Sequence, residues 1–143
     1  MVSAPKTAPA RERIIAAAIE LFGSNGIRGT SIEQVASAAG VHRVTVHRIF
    51  SGGRDELVAE VLLARAAEVL ELALPPADDN ESVSELVVAA FTSFVMLARN
   101  DPLISEGICS DAAQLALAPE RALRLYDLTI AWVLETHAHA DHL

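Results

Sequence analysis

The chain has 143 residues, 52% of them hydrophobic but only six aromatic, and a formal net charge of −8. That is one ordinary domain's length, with enough Ala, Val, Leu and Ile for close helix packing and too few aromatics for a typical β-sandwich. A single cysteine, Cys109, excludes an internal disulfide. No uncharged run reaches the roughly 18 residues of a membrane span, and no cationic leader opens the chain, so the expectation is a soluble, cytoplasmic protein without a membrane partner.

Residues 1–10 read as a flexible arm. From Pro9 a helix is expected, because Ile14, Ile15, Ala18, Leu21 and Phe22 recur at three- and four-residue spacing before Gly23 and Gly26. Ser31 with Gln34 forms a capping box that opens a second helix carrying Ile32, Val35, Ala36 and Ala39 and stopping at Gly40. A third, short helix spans about His42 to Phe50, and Ser51-Gly52-Gly53 breaks it. A long connecting helix follows to about Leu74, and Pro75-Pro76 with Asp78-Asp79-Asn80 marks a linker over residues 75–81. Ser82 and Glu85 cap a fifth helix to about Arg99. Asp101-Pro102 starts a shorter one that fails around Gly107 to Ser110. Residues 111–117 hold one or two turns, and Pro119 begins a last helix. Residues Thr129–Leu134 are also compatible with a strand.

The charge divides along the chain. Residues 1–54 hold seven Lys/Arg against three acids, +4, while the remainder carries −12. A basic head on an acidic body attracts phosphate at one end only. Within that head, two short helices meet at a tight glycine turn, with Ala36 small enough to let them approach. This is a helix-turn-helix arrangement over residues 11–54. Val41, Val46 and Ile49 form the inward face of the third helix. Its outward face carries His42, Arg43, Thr45, His47 and Arg48, donors suited to phosphates and base edges. Arg28 adds a cation nearby.

The run RERIIAAAIELFGSNGIRGTSIEQVASAAGVHRVTVHRIFSGGRDELVAEVL resembles the N-terminal domain of the tetracycline-repressor (TetR) family. The Ala17-Ala18…Leu21-Phe22…Gly26 pattern, Thr30-Ser31, Ala39-Gly40-Val41 and Phe50 carry the likeness. It implies an all-α dimeric regulator, without enzymatic activity or cofactor, that binds a palindromic operator and is released by a small apolar effector. Thr30 and Thr45 would hold phosphates through hydroxyl and backbone N–H, Arg43 would read guanine O6 and N7, and Val44 would touch a thymine methyl or sugar. Arg54 would receive a phosphate at the start of the fourth helix, although a one-residue longer Ser51–Asp55 stretch leaves Gly53 as the alternative match. His47 stands where the family usually has Tyr.

The resemblance also implies that residues 82–143 form a short, truncated regulatory and dimerisation body. Phe91, Phe94, Met96 and Leu97 are the candidates for an effector cavity. Leu123, Tyr126, Ile130, Val133 and Leu134 are the candidates for a dimer interface. The tail complicates this picture. His137, His139, Asp141 and His142 resemble the H-x-H-x-D-H zinc motif of metallo-β-lactamases, which makes a fused zinc-hydrolase fragment the alternative function. The further ligands that such a site needs do not follow, so no metal site is expected to be completed.

Overall fold

Eight helices and no strand make up the described residues of this computed structural model, which are 7–75 and 82–140. They are α1 (Ala10–Asn25), α2 (Ile32–Ala39), α3 (Arg43–Ile49), α4 (Arg54–Ala73), α5 (Val83–Asn100), α6 (Pro102–Gly107), α7 (Asp111–Ala116) and α8 (Pro119–Ala140). The expected all-α class holds. Residues 1–6 of the expected arm and 76–81 of the expected linker lie outside the described residues.

Local chemistry explains most of the boundaries. At the start of α2, Gln34 N donates to Ser31 Oγ at 3.2 Å and Ser31 N donates to Gln34 Oε1 at 2.8 Å, completing the capping box. Gly40 ends α2 in the left-handed conformation (φ 65°), which a side chain would resist. Ser82 and Glu85 cap α5 in the same reciprocal way. Asp101 is buried, and its Oδ1 accepts the amides of Leu103 and Ile104, each at 3.0 Å, at the start of α6. Its other oxygen accepts from Arg65 Nε at 2.7 Å, so the cap also ties α6 to α4. Hydrogen bonds to Glu68 and then to Asp101 raise the Arg65 guanidinium above its ordinary pKa.

The spine is α4, which packs against α1, α5, α6, α7 and α8. One hydrophobic cluster runs from Ile14, Phe22, Val35, Val46 and Phe50 through Leu57, Val61 and Leu62 to Leu103 and Ala116. Head and body therefore share a core across residue 54. At Gly107 a Cβ would lie 2.2 Å from Leu62 Cδ2, so a larger residue there would force the Leu62 side chain to shift. A smaller cluster of Leu86, Ala90 and Trp132, flanked by Leu74 and Val133, joins α5 to α8. There Trp132 Nε1 donates to the Pro75 carbonyl at 2.8 Å.

Two expectations are corrected here. Thr129–Leu134 is helix, not strand. Ala122, Leu125, Leu128 and Trp132 turn inward at helical spacing, and Thr129 Oγ1 donates to the Leu125 carbonyl one turn back. The zinc-motif reading of the tail falls with it. The backbone is helical through His137 and His139, where the zinc motif of the resembled family follows a strand. Asp141 and His142 lie outside the described residues.

Candidate nucleic-acid interface

The short helix α3 is held on one side and bare on the other. Val46 is 1% exposed and Phe50, at its C-cap, equally so, while Val41 and Ile49 pack against the same core. The opposite face presents His42, Arg43, Val44, His47 and Arg48 to solvent, with Thr45 half-buried. Val44 is 76% exposed, an unusual position for an aliphatic side chain unless something apolar meets it.

Arg43 is already oriented. Its Nη1 lies 2.7 Å from Glu33 Oε1 on α2, and its Nε donates to His47 Nε2 at 3.2 Å. The backbone amide of Glu33 itself, followed by the Arg43 guanidinium, holds the Glu33 carboxyl below its usual range. The pair is exposed, so separating it costs little.

The turn between α1 and α2 borders this face. Arg28, Ser31, Gln34 and Arg54 help line an open recess there of about 480 Å³. Arg28 is exposed. Thr30 and Arg54 are not available in the way their types suggested. Thr30 is 2% exposed, and its hydroxyl points at the Gly26 carbonyl at 2.9 Å and the Leu21 carbonyl at 3.2 Å. Its single proton is directed inside the protein, which leaves the Thr30 backbone N–H as the group for the expected phosphate contact. Arg54 is the first residue of α4, with Gly53 as its N-cap. The Arg54 guanidinium turns inward and donates to the carbonyls of Thr30 and Ile27. It fastens the α1–α2 turn to α4 instead of projecting as a free cation.

Glu106 was not foreseen. From α6 its carboxylate accepts the amide of Ile27 at 3.0 Å and that of Arg28 at 3.3 Å. The turn is thus gripped by a cation on its carbonyls and an anion on its amides. Nothing in the local sequence marks a pairing across 79 residues.

The body candidates sit as follows. Phe91, Met96 and Leu97 are exposed on α5 and Phe94 is half-buried; none of them lines the recesses beside α1 and α6. By length and composition α5 could cross a bilayer, with mean hydropathy 1.3, but it packs Leu86 and Ala90 against Trp132. On α8, Leu123, Tyr126, Ile130 and Leu134 are exposed. Val133 is the exception, packing against the cluster around Trp132.

Residues 14–61 match the family described as bacterial regulatory proteins, tetR family. Over 130 residues the chain is 28% identical to the HTH-type transcriptional regulator SrpR of Pseudomonas putida, covering 91% of this chain and 60% of SrpR. It is 36% identical over 85 residues to the uncharacterized HTH-type transcriptional regulator TtgW, also of Pseudomonas putida, covering 59% of this chain and 62% of TtgW. The chain therefore spans about three fifths of these relatives' length. The fold is similar to that of a putative TetR-family transcriptional regulator from Vibrio parahaemolyticus, with a TM-score of 0.55 and 23% identity over 92% of this chain and 68% of that one. These similarities lend no support to a zinc-hydrolase fragment. Residues 14–61, the helix-turn-helix head of this chain, are thus similar to the tetR family of bacterial regulatory proteins.

Proposed function

We propose that this chain is a cytoplasmic transcriptional regulator that reads duplex DNA with α3. It acts as a dimer, and a small apolar effector releases it. The observation that carries the reading is the two-sided α3, with Val46 and Phe50 buried and Arg43, Val44, His47 and Arg48 turned outward. Arg43 is the base reader, because its fork fits guanine O6 and N7, and Val44 meets a thymine methyl. His42, Thr45, His47, Arg48 and Arg28 contact phosphates. Phe91, Phe94, Met96 and Leu97 contribute to the effector site.

The test offers the full chain a random duplex pool and sequences what it retains. The expected product is a palindrome with half-sites about one helical turn apart. Affinity should fall with salt by a log–log slope of about −0.9 for each phosphate neutralised. A chain that retains no duplex at low salt would overturn the reading.

Dimerisation is assigned to the outer stripe of α8, where Leu123, Tyr126, Ile130 and Leu134 recur at helical spacing. Ile130→Lys should give folded monomers by sedimentation that no longer discriminate the selected palindrome from other duplexes. Unchanged association would remove α8 from the interface.

A further inference from the structure

We propose that Arg121, in the first turn of α8, is a positioning residue that holds the C-terminal end of the recognition helix through two carboxylates on α4. The inference rests on the DNA-binding reading above. The Arg121 guanidinium divides its donors, with Nη1 2.7 Å from Glu60 Oε1 and Nη2 3.2 Å from Glu56 Oε1. Glu56 and Glu60 are one turn apart on the same face of α4. The second oxygen of each goes to the head. Glu56 Oε2 accepts the Gly52 amide at 2.6 Å, and Glu60 Oε2 accepts Arg11 Nη2 at 2.8 Å. The Arg11 guanidinium in turn lies over the Phe50 ring, 5.0 Å from its centre.

Phe50 and Gly52 bound the turn that ends α3. One cation of the body is thus joined, through two carboxylates, to both sides of that turn. The side chains of Arg121, Glu56 and Glu60 are 23%, 19% and 20% exposed, so salt screens them less than surface pairs. The Gly52 amide first, and Arg121 after it, hold the Glu56 carboxyl below its ordinary range. Without Arg121, two carboxylates one turn apart repel each other, and Arg11, which bonds Glu60, reaches Glu56 through charge alone. Glu56 is then free to swing away from Gly52. A guanidinium is needed because only a planar fork reaches both carboxylates at once.

A purely structural Arg121 would hold α8 to α4 and leave the end of α3 undisturbed, so the amide of Gly52 separates the two roles. The experiment uses ¹⁵N-labelled full chain as wild type, Arg121→Gln and Arg121→Lys. Two probes are a duplex selected from a random pool by the wild type and an unrelated duplex of equal length. Arg121→Gln should shift the Gly52 amide signal, speed its exchange and weaken binding to the selected duplex about tenfold. Affinity for the unrelated duplex should stay within about twofold, since backbone phosphates dominate it. Arg121→Lys, which keeps the charge but loses the fork, should fall between. A folded Arg121→Gln chain with either the Gly52 signal or the selected-duplex affinity unchanged would overturn the proposal. If that variant unfolds, the same two readouts on Arg121→Lys decide. A wild type that retains no duplex would remove the DNA-binding reading, and the Gly52 signal alone would then show whether Arg121 holds the end of α3.

Discussion

Phe50→Ala is expected to lower the unfolding free energy by about 3–5 kcal/mol, the usual cost of removing a fully buried ring. Phe50 is among the largest side chains with essentially no exposure, and it sits where α1, α3 and α4 meet. Its amide donates to the Val46 carbonyl at 2.8 Å, and its own carbonyl accepts from Gly53 at 3.0 Å. The ring therefore anchors the last turn of α3 and the entry to α4 together. The cavity would open beneath the recognition helix, and the Arg11 guanidinium would lose the face it covers. Phe50→Leu, which refills most of the space, should cost less than about 1.5 kcal/mol. Urea unfolding of the three proteins checks this, and equal midpoints for wild type and Phe50→Ala would contradict the packing described.

Arg43→Ala should weaken binding to a selected duplex by about 1–3 kcal/mol and relax preference at a single base position. Its effect on stability should be near zero, because its pairing with Glu33 is exposed on both sides. Arg43→Lys should recover little discrimination, since a point charge cannot match two acceptors in one plane. Binding measured on the selected duplex and on single-base variants at fixed salt decides. An equal loss on every duplex would show that Arg43 touches only phosphate. The separation of folding from reading is itself informative. Phe50 and Arg43 lie seven positions apart on the same short segment, one buried in the core and the other turned to solvent.

The sequence alone determined the parts of this protein whose causes are local. The capping boxes at Ser31 and Ser82, the Asp101-Pro102 start, the glycine stop at Gly40 and the period of Val41, Val46 and Ile49 each involve residues within about one or two turns. They were therefore legible, and with them the head, the polarity of α3 and the identity of its outward side chains. The last helix was less legible. Thr129–Leu134 is short and rich in apolar residues, a pattern that periodicity alone does not assign. The inward turn of Ala122, Leu125, Leu128 and Trp132 shows it as helix, with Trp132 packed on Leu86 and Ala90.

Residue type also misled where a side chain's partner was distant. Thr30 and Arg54 have the chemistry to meet a phosphate, but the fold offers them backbone carbonyls first. A buried carbonyl left without a donor costs more than a surface contact returns. Glu106 on the amides of Ile27 and Arg28, and Arg121 between Glu56 and Glu60, join segments more than sixty residues apart. No spacing rule reaches that far, because such pairs are set by how α6 and α8 pack on α4. Tertiary structure alone decided which polar side chains hold the head in place and which remain turned to solvent. The physical reason is that a charged group's role depends on the partner that desolvates it, and that partner comes from another helix.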